Sequence, residues 1–508
     1  MLHRRMLLRG TAFLSLAGLL GPAPAAHGAP AQPPPFDAAT VRDMARQLAE
    51  QPYKAPDAAL PAELQNLDYQ AYRSIRFDPK QALWADQKLR FTAEFFSRGF
   101  LYKERVDVFE VANGRATPIR YRPELFTFDK VKAPTGDVGF AGLRLHYPLN
   151  RPDYYDEVCA FLGASYFRAV AKGQGYGMSA RGLSIKTADP TGEEFPQFKT
   201  FWLERPAPDS DSMVIHALLD SQSAAAAFRF TIRPGTDTVF DTETTLYPRV
   251  DIAASGLAPL TSMFLFDAND RVGFDDYRNA VHDSSGLALQ IGQDGHIWRP
   301  LANPRELQVS AFTDRSMRGY GLLQRERLFA DYQDAEARYE NRPSVWVEPI
   351  GDWGEGIVEL VEIPSKQEVN DNVVAFWRPH DPLRAKGEYN RNYRLHWCRT
   401  PPGDRAVALV VATRCGQSLT GKNRLFVVDF VGGALKEWKA DTPPPTLESA
   451  CTKGQIVNAV AQAVPDIGGW RVSLELDPQN NTLVELHARL TGDGKPLTET
   501  WMYRWTPA

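Results

Sequence analysis

Two neighbouring stretches, Ala227-Phe-Arg-Phe-Thr-Ile232 and Thr238-Val-Phe-Asp-Thr-Glu-Thr-Thr-Leu246, decide the fold class. Both are rich in β-branched and aromatic residues, and both alternate apolar with polar side chains in period two. The five residues between them include Pro234 and Gly235. Period-two alternation interrupted by turn residues is the pattern of antiparallel strands with one buried face. The same pattern recurs from Leu89 onward, as in Arg105-Val-Asp-Val-Phe-Glu-Val111 and Tyr393-Arg-Leu-His-Trp397. The chain is therefore expected to be all-β. Two helical exceptions are predicted. Val41, Met44 and Leu48 recur at helical spacing before Pro52, and Tyr332, Ala335 and Tyr339 are spaced to share a helical face.

Composition supports this and removes other classes. The 508 residues hold 43% hydrophobic side chains, enough for more than one core. The 58 basic residues against 62 acidic ones leave a net charge of −4, without the basic excess of a nucleic-acid binder. The turn-dense Arg399-Thr-Pro-Pro-Gly-Asp404 interrupts the strand pattern and marks a boundary. Residues 32–398 then form a large β-sandwich and 399–404 a linker. Residues 405–508, with strand candidates such as Arg424-Leu-Phe-Val-Val-Asp-Phe430 and Trp470-Arg-Val-Ser-Leu-Glu-Leu476, form a small immunoglobulin-like sandwich.

Residues 1–31 read as an export signal and leader. Arg4, Arg5 and Arg9 precede the apolar run Thr11 to Leu20, with no acidic residue among them, and cleavage fits after Ala25 or Ala31. The run is shorter than the ~20 residues of a membrane span, so no membrane span is expected in the mature chain. Arg4-Arg5, followed by Met6-Leu7-Leu8 and Arg9, fits the twin-arginine pattern, the competing reading being an ordinary Sec signal that happens to hold adjacent arginines. No Cys-x-x-Cys pair is present and the nine histidines are dispersed, so no metal site or other cofactor is implied.

Familiar catalytic motifs are missing, including the phosphate-binding loop, the His-Glu-x-x-His helix and the nucleophile elbow. His282-Asp283-Ser284 cannot be a relay, because adjacent residues of an extended chain point to opposite sides. The stretch from His282 to Trp377 is the richest in chemistry. It carries Asp283, Glu326, Glu348, Asp352, Glu368 and Asp371 among Trp298, Tyr339, Trp346, Trp353, Phe376 and Trp377. Aromatic rings lie against the apolar faces of sugars, and glycosidic cleavage needs one protonated carboxyl and usually a second carboxylate to activate water. The competing reading makes the tryptophans core residues and the acids loop surface.

A family resemblance bears on that choice. Phe140-Ala-Gly-Leu-Arg-Leu-His-Tyr-Pro-Leu-Asn150, Tyr176-Gly-Met-Ser-Ala-Arg-Gly-Leu183, Val281-His-Asp-Ser284, Arg342-Pro-Ser-Val-Trp-Val-Glu-Pro349 and Asn370-Asp-Asn-Val-Val-Ala-Phe-Trp377 resemble the OpgG/OpgD (MdoG/MdoD) family of periplasmic glucan biosynthesis proteins. The twin-arginine-type signal is closer to the OpgD branch. The resemblance implies a galactose-mutarotase-like β-sandwich followed by an immunoglobulin-like domain, in the periplasm, acting on the β-1,2-linked backbone of osmoregulated glucans. OpgD-like members are similar to inverting endo-β-1,2-glucanases. By that resemblance Asp371 is the general acid, acting through a substrate hydroxyl, Asp283 the general base, acting through a water chain, and Tyr339 an orienting residue of the relay. Two flanking asparagines rather than cations suit a carboxyl that must keep its proton.

Expected glucan contacts are Trp298, Arg299, Trp346, Glu348, Trp353, Asn370, Asn372 and Trp377. Two positions depart from the family pattern. His282-Asp-Ser-Ser-Gly286 stands where many members read His-Asp-Ser-Asp-Gly, and Gln324-Arg-Glu-Arg327 where many read Gln-Arg-Asp-Arg. Two alternatives to a glucanase are a non-hydrolytic glucan-binding scaffold serving a glucan-synthesis or glucan-modifying partner, and a transglycosylase.

Overall fold

The computed structural model describes residues 33–507 apart from 293–294, 316, 404–405 and 439–442; the export signal lies outside them. The opening pair of stretches forms a hairpin of Ala224–Arg233 and Thr238–Pro248, in register from Ala224 opposite Pro248 to Arg233 opposite Val239 without a bulge. Phe228, Phe230 and Ile232 point into the main core while Arg229 and Thr231 point outward.

The hairpin is central to a long sheet that also contains Gln197–Glu204, Met213–Asp220, Ser344–Ile350 and Asn392–Cys398. A second, ten-stranded sheet includes Phe140–Arg151, Tyr154–Leu162, Tyr166–Ala169, Ser255–Ser262, Gly356–Glu362 and Val373–Pro379. The two sheets face each other across a core rich in aromatic rings. Phe167 of the second sheet stacks on Phe240 of the first at 5.9 Å, and Phe161 meets Phe230 at 5.4 Å. The architecture is an all-β sandwich, as the alternation requires.

The predicted first helix is Ala38–Ala49, started by a reciprocal cap between Asp37 and Thr40. Its Val41 and Ala45 pack on Ala225, Ala227 and Trp202. This explains the run Ala224-Ala-Ala-Ala227, where one face meets the core and the other must admit a helix. The second expected helix does not form as one element. A single turn, Phe329–Tyr332, ends at Gln333 with φ 60°, and a 3₁₀ turn, Tyr339–Asn341, follows Arg338 with φ 48°. Asp334 is the reason: its carboxylate accepts from the backbone of Glu336 and Ala337, an alternative to helical bonding that short polar side chains favour.

Among the described residues, eight further strands follow residue 408; seven build two layers, and the short Lys495–Pro496 pairs with Val484–Gly492. Leu409–Gln417, Arg424–Val431, Gln455–Val464 and Gly469–Asp477 form a four-stranded sheet. It packs on Thr446–Cys451, Val484–Gly492 and Thr500–Trp505 around Phe426, Val472, Leu486 and Trp501. These last three strands do not form an isolated sheet. Thr500–Trp505 pairs in parallel with Gly295–Pro300, Ile297 opposite Thr500 and Trp298 opposite Trp501, and so extends the long sheet of the first core to sixteen strands. Among the described residues no helix is long and apolar enough to cross a membrane.

Candidate active-site cleft

A three-residue segment, Ser262 to Phe264, holds both carboxylates singled out above. Asp283 follows the short strand Val281–His282, and its amide donates to the Met263 carbonyl at 2.8 Å. Asp371 lies in the loop before Val373–Pro379, and the next residue, Asn372, binds the same segment from the other side. The Asn372 amide donates to Ser262 O at 3.0 Å, its side-chain oxygen accepts from Phe264 N at 2.8 Å, and its Nδ2 donates to Phe264 O at 2.9 Å and Ile363 O at 3.0 Å. Asn372 is 2% exposed, so it is an anchor of the acid-bearing loop and not the expected sugar contact.

Asp371 opens into a recess of about 400 Å³ bordered by Leu101, Tyr102, Tyr166, Arg168 and Gln197. Its side chain is exposed to solvent, yet the walls of the recess desolvate it and raise its pKa above the ordinary 3.8, against the opposing pull of Arg168 and Arg342. Asp283 is buried. Burial pushes its carboxyl up to about 6, opposed by Arg342 and reinforced by the negative charge of Asp371. Arg342 forms an ion pair with Asp283 and lies with its guanidinium carbon 4.2 Å from the centre of the Tyr339 ring. The Arg342 stem fits because residue 177 is glycine: a Cβ there would stand 2.9 Å from Arg342 Cβ.

Tyr339 is buried in the 3₁₀ turn and donates to Glu368 Oε2 at 3.2 Å. Arg278 reaches Glu368 and Asp334 at 2.8 Å each, and Asp276 at 2.8 Å, tying three loops around the cleft. Asp283, Asp371 and Tyr339 therefore occupy one neighbourhood, with Asn370 exposed at its rim. Arg342, Arg168 and Arg278 complete it. None was singled out from sequence, since an arginine far away in the chain carries no local mark of the carboxylate it meets. Ser285, the departure from the family pattern, faces inward: its hydroxyl donates to Leu323 O and accepts from Arg325 N.

The other expected glucan contacts lie elsewhere. Trp377 is fully buried and Trp353 6% exposed in the main core, their ring centres 6.3 Å apart. Trp298 and Trp346 are 3% and 6% exposed, covered by the core of the C-terminal strands. None offers a ring face to a sugar. Arg299 is 1% exposed and bonded to the buried Glu362 at 3.0 Å, which makes it a structural ion pair. Glu348 pairs with His396 at 3.2 Å on the wrong side of the sandwich. Its neighbours Val345 and Val347 point into the main core, so Glu348 points out of the long sheet. Phe167 and Ala169 point into that core from the other sheet, so Arg168 and the recess face the opposite way.

Fold and cleft together define a two-core β-sandwich protein with two raised carboxyls fixed to a common segment. Comparison with known proteins gives the family: the chain belongs to the periplasmic glucan biosynthesis proteins, MdoG, whose profile matches residues 36–505. It is 54% identical to glucans biosynthesis protein G of Rhodopseudomonas palustris (strain BisA53), over 99% of this chain and 100% of that one. It is 53% identical to the protein of that name from Bradyrhizobium diazoefficiens, over the full length of both, and 49% identical to that of Vibrio cholerae, over 93% of this chain and 87% of the other. The family description places its members in the periplasm and in glucan biosynthesis.

Proposed function

We propose that this chain cleaves the β-1,2-linked glucan backbone internally, as an inverting endo-β-1,2-glucanase. The observation that carries the reading is the shared anchoring of Asp283 and of Asn372, the residue next to Asp371, on Ser262 to Phe264, with both carboxyls raised. Asp371, whose ionised form the recess disfavours, gives a proton to the glycosidic oxygen as the C–O bond breaks. Asp283, pushed up to about 6 by burial, accepts the proton lost by the attacking water. Water entering opposite the leaving oxygen inverts the anomeric centre, so a β-linkage yields an α reducing end. Asn370 at the rim remains positioned for a sugar hydroxyl. Incubating the purified mature chain with linear β-1,2-glucan should give short oligosaccharides with α reducing ends, and retention of configuration would overturn the assignment.

A second reading is favoured by the names of the relatives, which speak of glucan biosynthesis and not of hydrolysis. Here the cleft holds nascent glucan for a synthetic or modifying partner, or transfers it to another sugar, and residues 405–508 serve as a contact module. Tight glucan binding without products favours the scaffold, and longer chains formed from short acceptors favour transfer. Export by the twin-arginine route, and with it the OpgD-like placement, rests on Arg4-Arg5 alone. Replacing both by Lys should abolish export if it holds.

A further inference from the structure

Asp267, His282 and Glu326 converge behind the cleft, and each offers one ligand atom, all within 4.8 Å of one another. We propose that these three side chains form a binding site for a first-row divalent cation, Zn²⁺ or Mn²⁺, that fixes the segment carrying Asp283.

The acidic pair alone would not carry this; the histidine does. His282 is completely buried, and neither of its ring nitrogens meets a partner in good hydrogen-bond geometry, with the Gln324 side chain its polar neighbour, although buried polar atoms are nearly always satisfied. Its orientation is fixed, stacked on Phe264 at 5.4 Å and edge-on to Tyr332 at 5.3 Å, with Nε2 aimed at Asp267 Oδ2 3.8 Å away. Glu326 Oε2 is buried beside it and also lacks a partner.

The surrounding cations are engaged elsewhere. Arg325 pairs with Glu499 and Arg414 with Asp429, while Arg271 is spent on the carbonyls of residues 276, 278 and 279. Among the described residues, no Lys or Arg forms an ion pair with Asp267 or Glu326. A recess of about 780 Å³, bordered by Asp267, Glu326, Asp331 and Thr413, gives an ion a way in.

The ligand set selects the metal. One imidazole and two carboxylates suit Zn²⁺ or Mn²⁺, whereas Mg²⁺ and Ca²⁺ prefer oxygen alone. Ligand atoms around Zn²⁺ stand roughly 3.4 Å apart, so the present spread closes by an adjustment that the flexible Glu326 can supply. A bound ion would link the end of Phe264–Phe266, the residue preceding Asp283, and the Gln324-Arg-Glu-Arg327 segment, whose Arg325 is bonded to the C-terminal strands.

The test uses tag-free mature chain, stripped with chelator and titrated calorimetrically with Zn²⁺, Mn²⁺ and Mg²⁺. One equivalent of Zn²⁺ or Mn²⁺ per chain is expected, with Mg²⁺ binding at least about 100-fold more weakly. Asp267→Asn and Glu326→Gln, each verified as folded by circular dichroism, should weaken Zn²⁺ binding at least about 100-fold. Absence of stoichiometric binding of either ion, or unchanged affinity in both folded variants, would overturn the site. The readout does not depend on glucan cleavage.

Discussion

Tyr339 donates its phenolic hydrogen to Glu368 across 3.2 Å, and this bond spans the cleft from the turn that stacks on Arg342 to the loop that presents Asp371. Arg342 in turn holds Asp283, so a chain of contacts runs from Asp283 to the loop that carries Asp371 through side chains distant in sequence. Tyr339→Phe keeps the ring, its contact with Tyr332 and the guanidinium stacking, and removes only the hydroxyl. Glucan turnover should fall about 10- to 100-fold with little change in KM, measured by initial rates of reducing-end release.

Asp371→Asn removes the proposed proton donor and keeps the shape of the loop. Cleavage should drop by about 10²- to 10⁴-fold, the usual span for a general acid. Because the recess walls already disfavour the ionised carboxyl, the melting temperature at pH 7 should be equal or slightly higher. Calorimetry on the same sample as the assay checks both.

Trp377→Ala should damage folding and leave sugar recognition alone. The ring is fully buried against Trp353 and Gly356, so its loss should cost about 3–5 kcal/mol through transfer and cavity terms. Denaturant titration gives the stability, and glucan affinity of the folded fraction should match that of the parent. A selective loss of affinity would restore the tryptophan as a sugar platform.

Glu499→Ala tests whether the two cores melt as one. Its carboxylate receives both nitrogens of the Arg325 fork, at 2.7 and 2.8 Å, and Arg325 lies 3.5 Å over the Trp298 ring. Breaking a buried pair from one side costs about 3–5 kcal/mol. With Thr500–Trp505 hydrogen-bonded into the long sheet, calorimetry should show one transition shifted downward as a whole.

The loops joined by Arg278 should loosen in acid. Its bonds hold the pKa of Asp276 below the ordinary 3.8; the Asp334 carboxyl is also lowered, there by backbone donors and Arg278 against the raising effect of burial. A carboxyl lowered in the folded state contributes stability that is fully present above its unfolded value and lost as pH falls through the folded one. Hydrogen exchange in residues 328–341 and 365–371 should therefore be protected above about pH 4 and increase below it. Arg278→Gln should reduce that pH dependence and leave the part due to the backbone donors of Asp276 and Asp334.

The alternation in Ala227–Ile232 and Thr238–Leu246 determined the β-sandwich by itself, because strand period and buried face are local properties of a chain. Val41, Met44 and Leu48 determined the first helix in the same way, and the quoted family motifs already held Asp283 and Asp371, to which the resemblance added Tyr339. The tertiary structure decided which of the remaining polar and aromatic residues face a cleft. Trp298, Trp346, Trp353 and Trp377 look alike in sequence to platforms for sugar rings, and only the packing of two sheets and a second core shows that all four are covered. Asn372 became an anchor and Arg299 an internal counter-ion for the same reason. Arg342, Arg278 and the unpartnered His282 gained meaning only when folding brought distant segments together, since the energy of a charge or a ring nitrogen depends on what surrounds it in space and not on its neighbours along the chain.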